Sequence, residues 1–231
     1  VPPQPPVSGL NVSAFKAYGQ GEALVGSFSG QNYRYDGAQW NDLGQWHSNY
    51  VSAFGVDAGG TVWSGGIGGA AKHLGGTAWQ RYRVTNTSLM GDFNNGVSVN
   101  PDTGELYVCA NAGTGYGGFV KFDGTRWTTW CSGGGDYGLG HTFPFSSDNS
   151  SPVLARPGGR AAVAPMFGGV RQWEGSGFST ITPSGDYDVL REDSLGRLWG
   201  LFANGGYARL DGPTPVTYVF SGPTASLERD P

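Results

Sequence analysis

Charge, helix-forming stretches and long apolar runs are all scarce in this sequence. Charged residues make up 14% of the 231 residues, and the net charge is −4. Nucleic acid requires a basic footprint for its phosphates, so we expect no nucleic-acid partner. No run of about 20 apolar residues occurs, so we expect no insertion into a membrane. Glycine and proline supply 42 and 14 residues, which excludes a helical bundle and a Rossmann enzyme.

A five-residue word recurs along the chain. It consists of any residue, a cationic or polar residue, a large apolar residue, an acid and glycine, and it occurs at 33–37, 120–124, 171–175 and 208–212, with a degenerate copy at 72–76. A turn and an apolar strand precede each copy, and the apolar anchors of these strands are Leu24, Trp63, Tyr107, Val163 and Trp199. The anchors lie 36 to 56 residues apart, which is near the period of propeller blades.

Each copy has room for four short strands joined by tight turns. Asp-Gly and Gly-Gly pairs supply the positive-φ positions that such hairpins require. The sequence therefore predicts an all-β fold, a five-bladed β-propeller of four-stranded antiparallel blades. We expect a proline-rich spacer over 1–10, the propeller over 11–221 and a tail over 222–231. The fifth blade supplies its own last strand, so we expect side-chain packing between blades 1 and 5 to close the ring.

One segment resembles a known repeat family. Residues 191–199, followed by Gly205-Gly206, are similar to the propeller repeats in the extracellular sensor regions of bacterial two-component regulators. The resemblance implies a propeller fold, and it implies a docking or sensory platform as one function.

Several repeated residues have expected structural roles. Arg34, Lys121 and Arg209 each stand two residues before an aspartate on the same strand face, so we expect ion pairs with Asp36, Asp123 and Asp211. Tyr107 and the tryptophans should pack between blades. Cys109 and Cys131 fall on strands separated by a third strand, about 9–10 Å apart, which favours two unpaired thiols.

An acidic residue beside an aromatic residue recurs in the loops between blades. Asp92-Phe93, Asp136-Tyr137 and Asp186-Tyr187 share this word, and Asn49-Tyr50 is a looser copy. A carboxylate can accept hydrogen bonds from sugar hydroxyls while a ring covers the C–H face of the sugar. The same word also suits a capping turn, in which the acid binds backbone N–H groups and the ring closes the blade top. Both interpretations stay open.

The longest loop, over 131–151, is a candidate lid over a ligand because long loops in compact folds are commonly functional. The alternative is a plug over the central channel. The loop contains His141 and Asp136, and with His47 these form a candidate acid, base or metal group. No nucleophile motif accompanies them, so we favour a binding protein over an enzyme. We expect no cofactor, although Asp92, Asp136 and Asp186 would offer oxygen ligands to calcium.

The sequence best fits a secreted, periplasmic or cell-surface module that binds carbohydrate. The alternatives are a polysaccharide or small-molecule lyase or hydrolase, and a protein-interaction platform. Expected partners are a carbohydrate or another extracellular ligand, and a protein in the platform case.

Overall fold

The computed structural model describes residues 10–19, 21–47, 49–89, 91–111, 117–131, 150–165, 168–202, 205–211 and 214–218. Blades 1 and 2 consist of β1 (Val12–Tyr18), β2 (Glu22–Ser27), β3 (Gln31–Tyr35), β4 (Trp40–Gln45), β5 (Val51–Val56), β6 (Val62–Gly66), β7 (Gly69–Gly75) and β8 (Ala78–Tyr82). Blade 3 consists of β9 (Phe93–Val99), β10 (Leu106–Asn111), β11 (Gly117–Phe122) and β12 (Trp127–Cys131). Blades 4 and 5 consist of β13 (Ser150–Arg156), β14 (Arg160–Pro165), β15 (Val170–Trp173), β16 (Phe178–Thr182), β17 (Tyr187–Glu192), β18 (Leu198–Phe202), β19 (Tyr207–Arg209) and β20 (Val216–Tyr218).

These strands confirm the predicted all-β, five-bladed β-propeller. Each blade is a four-stranded antiparallel sheet whose strands pair in chain order, and none of the described strands is exchanged between blades. The residues that the structure describes include no helix long and apolar enough to cross a membrane.

Aspartates build the outer hairpin turns. Asp36 Oδ1 accepts hydrogen bonds from the backbone N–H groups of Gln39 at 2.8 Å and Ala38 at 2.9 Å. Asp123 Oδ1 accepts the equivalent bonds from Arg126 at 2.7 Å and Thr125 at 2.9 Å. These bonds favour the charged carboxylate, and they lower the pKa of Asp36 and of Asp123 to about 2.

The ion pairs predicted within the repeated word form only once. Arg209 Nε lies 3.1 Å from Asp211 Oδ1, as predicted. Arg34 and Lys121 instead reach across the sheet, to Glu22 at 2.7 Å and Glu105 at 2.9 Å. The prediction for Asp36 and Asp123 is therefore wrong, because those carboxylates are occupied by the backbone of their own turns.

Strand register corrects two positions of the repeat. Trp63 pairs with Lys72, as Leu24 pairs with Arg34, so Lys72 and not His73 holds the cationic position. His73 pairs with Trp79 as Tyr35 pairs with Trp40, so His73 holds the position of the large apolar residue in the word. In blade 4 the residue opposite Gln172 is Ala162, so the anchor is Ala162 and not Val163.

Every blade has two apolar faces, and alternate residues of each strand point to opposite faces. We call the face toward the next blade along the chain the forward face, and the other the back face. Trp63, on the forward face of blade 2, packs with Val97 and Val108 on the back face of blade 3. Three further clusters join blades 1 and 2, blades 3 and 4, and blades 4 and 5 in the same way.

The junction between blades 5 and 1 differs. The innermost strands of consecutive blades pack against each other at the four other junctions, whereas within the described ranges β17 and β1 form no comparable contact. The expected closure of the ring by packing between blades 1 and 5 is therefore not observed among these residues. Phe15, on the back face of blade 1, is 50% exposed.

The two cysteine strands lie as predicted. Cys109 is on β10 and Cys131 is on β12, with β11 between them. Cys109 is buried in the cluster between blades 3 and 4. The predicted pair of unpaired thiols stays a prediction, because the Cys131 side chain lies outside the described part.

Candidate functional site

The loops that connect successive blades lie at one end of the propeller. The turns that connect the second and third strands of each blade lie at the same end, because antiparallel strands reverse direction at each connection. At this end the structure brings His47 and Asp92 together around Gly68. A Cβ on Gly68 would lie 2.2 Å from the His47 ring, and Gly68 has φ +117°. The backbone N–H groups of Gly68 and Gly69 donate to the Asp92 carbonyl at 2.6 and 3.0 Å. The packing against His47 therefore requires glycine at position 68.

The His47 imidazole is held neutral. Burial lowers its pKa, the nearby Arg83 and Arg81 lower it further, and Asp92 opposes them. Its Nδ1 is buried and has no hydrogen-bond partner among the described residues. The lowered pKa makes this imidazole a weaker base than a solvent-exposed histidine.

Asp92 and Tyr187, which belong to two of the acid-aromatic words, have structural roles. Asp92 Oδ1 accepts a hydrogen bond from Val84 N–H at 3.1 Å, which fits the capping interpretation. Tyr187 is only 2% exposed and packs on Phe202 with ring centroids 4.7 Å apart. Its ring leaves no room for a Cβ at Gly185 or Gly200. Stacking of Tyr187 on a sugar is therefore contradicted, since its ring closes the top of blade 5.

The remaining predicted residues are placed as follows. Tyr50 is partly exposed and forms an aromatic pair with the exposed Phe28, with ring centroids 5.1 Å apart. Asp186 lies beside Asp188, and burial followed by the Asp186 charge raises the pKa of Asp188. Phe93 begins β9, but its side chain lies outside the described residues, as do Asp136, Tyr137 and His141. No group of three His, Cys, Asp or Glu side chains that could hold a metal occurs in the described part of the chain.

A cleft that sequence analysis missed lies between blades 2 and 3. Its volume is about 570 Å³. Four aromatic side chains line it: Trp63, Tyr82, Phe122 and Trp127. Tyr82 stacks on Trp63 with centroids 5.6 Å apart, and Trp127 stacks on Phe122 at 4.5 Å. These rings form a continuous apolar wall from the core to the surface.

Polar side chains border the aromatic wall. Gln80 and Arg81 come from β8, Asn86 and Thr87 from the loop that follows, and Asp57 from the β5–β6 turn. Lys72 Nζ lies 5.6 Å from the centre of the Trp63 ring. The Trp63 side chain is 4% exposed, and its Nε1–H has no partner within the described ranges. Lys72 and Arg81 outnumber Asp57, so the cleft carries net positive charge.

The sequence did contain a signal for this cleft. The sequence predicts that Trp63 of blade 2 and Trp127 of blade 3 pack between blades, and the register places Tyr82 with Trp63 on the forward side of blade 2. The partial exposure of Tyr82 and Trp127 depends on the spacing of blades 2 and 3 at their outer strands, and the repeat pattern does not encode that spacing.

No protein-family model matches the sequence, and no curated protein matches it. Solved structures match it by fold. Virginiamycin B lyase from Staphylococcus aureus superposes with a TM-score of 0.69 at 10% identity, covering 93% of this chain and 71% of that chain. An ancestral GH74 enzyme superposes with a TM-score of 0.63 at 13% identity, covering 87% of this chain and 34% of that chain.

The resemblance to two-component sensor propellers is confirmed at the level of fold. The extracellular domain of a hybrid two-component system from B. thetaiotaomicron superposes with a TM-score of 0.54 at 15% identity. The superposition covers 92% of this chain and 34% of that chain. At such identities the three likenesses concern the propeller fold alone.

Proposed function

We propose that this propeller binds carbohydrate outside the cell, in the cleft between blades 2 and 3. One observation carries the proposal: an aromatic wall bordered by amide, hydroxyl and charged side chains. Aromatic faces cover the C–H surfaces of sugar rings, and the polar groups beside them bind the hydroxyls. The net positive charge of the cleft favours saccharides that carry carboxylate groups.

The comparisons support the propeller scaffold of this proposal and do not identify a ligand. One of the similar folds is an extracellular domain, and another is a GH74 enzyme. Both cover 34% of the matched chain, so the activity of those whole proteins is not transferred. The proposed location is secreted, periplasmic or cell-surface.

A glycan array that includes uronic-acid polymers tests the proposal. Trp127→Ala removes the outermost ring of the wall, and we expect about tenfold weaker binding. The matched control is Trp40→Ala, since Trp40 pairs with Tyr35 in blade 1 as Trp127 pairs with Phe122 in blade 3. Equal binding by both variants would exclude the cleft, and a blank array for the unmodified chain would exclude the function.

The loop end of the propeller is a second proposed binding surface. The residues proposed to contact a ligand there are Tyr50 with Phe28, His47 with Asp92, and those predicted in the long loop, Asp136, Tyr137 and His141. Tyr50→Ala should weaken binding there and leave Trp127-dependent binding intact. The same array separates the two surfaces, because each variant then loses a different set of glycans.

A second candidate function is a lyase or hydrolase acting at the loop end, where the Nδ1 of His47 has no hydrogen-bond partner among the described residues. We expect turnover of a bound glycan to be lost in His47→Gln or His141→Ala. Product formation is measured by chromatography of glycans incubated with each variant. Binding without any turnover in the unmodified chain would remove the enzymatic candidate and leave the binding function standing.

A further inference from the structure

A cation occupies the same register position in four of the five blades. It lies on the forward face, opposite the anchor of the second strand, and the four cations are Arg34, Lys72, Lys121 and Arg209. In blades 1, 3 and 5 an acid pairs with the cation, at distances of 2.7, 2.9 and 3.1 Å. Lys72, in blade 2, forms no ion pair with any residue that the structure describes.

Two differences in the sequence of blade 2 explain this unpaired cation. The acids that pair with the cations of blades 1 and 3 stand two residues before the anchor, where blade 2 has Thr61. The acid of blade 5 is Asp211, two residues after its cation, where blade 2 has Leu74. Neither threonine nor leucine can neutralise an ammonium group, so the charge of Lys72 is not compensated within its own blade.

The Lys72 side chain lines the cleft between blades 2 and 3. Its Nζ lies 5.6 Å from the centre of the Trp63 ring, a distance at which the ring attracts a cation. Gln80 lies beside Lys72 on the neighbouring strand. Asp57 is the acid among the lining residues, and its Oδ1 accepts the backbone N–H of Thr61 at 2.8 Å. The ammonium group therefore borders the cleft without a carboxylate partner among the described residues.

A second donor in the wall of the cleft also has no partner. The Trp63 side chain is 4% exposed, and its Nε1–H forms no hydrogen bond with the described residues. In blade 5 the corresponding indole N–H, that of Trp199, donates to Asp193 Oδ2 at 2.9 Å. Both unpartnered groups of the cleft are donors, which favours a ligand group that accepts hydrogen bonds.

We propose, on the basis of the proposed function, that Lys72 binds the carboxylate of a uronic-acid residue and so determines a preference of the cleft for acidic over neutral saccharides. The ligand's carboxylate takes the place that Glu22 and Glu105 hold beside the cations of blades 1 and 3. A charge-assisted contact of this kind is stronger than a neutral hydrogen bond. The one blade that lacks the internal acid is thus the blade whose cation borders the cleft.

Paired glycans test the preference. Oligosaccharides of galacturonic, glucuronic and mannuronic acid are compared with their methyl esters, which keep the sugar ring but carry no charge. We expect the unmodified chain to bind at least one acid about tenfold more tightly than its ester. Equal binding of acid and ester, or binding of neutral glycans alone, would overturn the proposal and leave carbohydrate binding standing. Absence of binding to every glycan would instead remove the proposed function itself.

Removal of the cation tests the assignment to Lys72. Lys72→Gln keeps a polar side chain, and we expect about tenfold weaker binding of the acid with unchanged binding of the ester. Lys121→Gln is the matched control, since it removes the same charge from the same position of blade 3, on the face toward blade 4. A preference that persists in Lys72→Gln, or one that Lys121→Gln also removes, would contradict the assignment.

An acid restored to blade 2 gives a test that retains Lys72. Thr61→Glu supplies the glutamate that pairs with the cation in blades 1 and 3. We expect the new carboxylate to compete for Lys72, so that binding of the acid falls about tenfold and binding of the ester does not change. This result does not depend on how Lys72→Gln folds, and it decides the question if that variant loses both ligands. Undiminished binding of the acid by Thr61→Glu would overturn the proposal.

Discussion

Blades 3 and 5 have similar forward faces in different surroundings. Blade 3 presents Tyr107, Phe119 and Trp130, and blade 4 buries all three. Blade 5 presents Trp199, Tyr207 and Tyr218 at the corresponding positions, and these are partly exposed. The aromatic pattern of a blade thus specifies a surface suited to packing, while burial depends on a neighbouring sheet.

The comparison also explains why one propeller fold can carry different functions. Between blades 2 and 3, the buried Trp63 and the partly buried Tyr82 of the forward face both line the cleft. The same residue types that stabilise a covered interface line an open cleft between these two blades. At blade 5 the corresponding aromatics are partly exposed.

The largest effect should come from a matched pair on the two forward faces. Phe119→Ala removes a fully buried ring that packs with Trp130, Trp173 and Phe178. We expect it to lower the free energy of unfolding by about 3–5 kcal/mol. Tyr207→Ala, at the equivalent position of blade 5, should lower it by about 1 kcal/mol. Equal losses in urea unfolding would show that the blade 5 face is covered.

The two back faces offer a second matched pair. Phe54 is 4% exposed where blade 2 meets blade 1, and Phe15 is 50% exposed at the equivalent position of blade 1. Phe54→Ala should cost about 3–4 kcal/mol of unfolding free energy, and Phe15→Ala about 1 kcal/mol or less. A large loss for Phe15→Ala would indicate that blade 1 also has a packed neighbour.

A smaller effect should come from the aspartates of the outer hairpin turns, which act through hydrogen bonds and not through packing between blades. The pKa of Asp36 and of Asp123 is lowered to about 2 from 3.8. Between these values the unfolded chain binds more protons than the folded chain, so the stabilisation is present above about pH 4 and is lost toward pH 2. Asp36→Asn with Asp123→Asn keeps the side-chain acceptors but removes both titrations. We expect a shallower fall of Tm from pH 5 to 2, and an unchanged slope would contradict this origin.

Much of the fold could be predicted from the sequence because each blade is a local unit. The recurring Asp-Gly turns, the Gly-Gly pairs and the alternation of apolar residues depend on neighbours within one blade. They give the strand number and the blade number directly. The expected ion pairs failed for Arg34 and Lys121, because Glu22 and Glu105 on the adjacent strand offered closer partners.

The site was less predictable for the same reason. Asp186-Tyr187 has the composition of a sugar-binding word, but the glycines at 185 and 200 leave a space that Tyr187 fills. The cleft between blades 2 and 3 depends on the spacing of two sheets, which no single repeat encodes. The sequence identifies acidic and aromatic residues suited to a sugar site. Which of them face solvent depends on how the blades are arranged.

Hydroxyl-radical footprinting of the aromatic side chains tests the central comparison most directly. The account predicts that Tyr218 in blade 5 is oxidised many times faster than Trp130 in blade 3, after correction for intrinsic reactivity, because Trp130 lies beneath blade 4 whereas Tyr218 is 40% exposed. Equal protection of the two residues would contradict the account, since it would mean that both forward faces are covered.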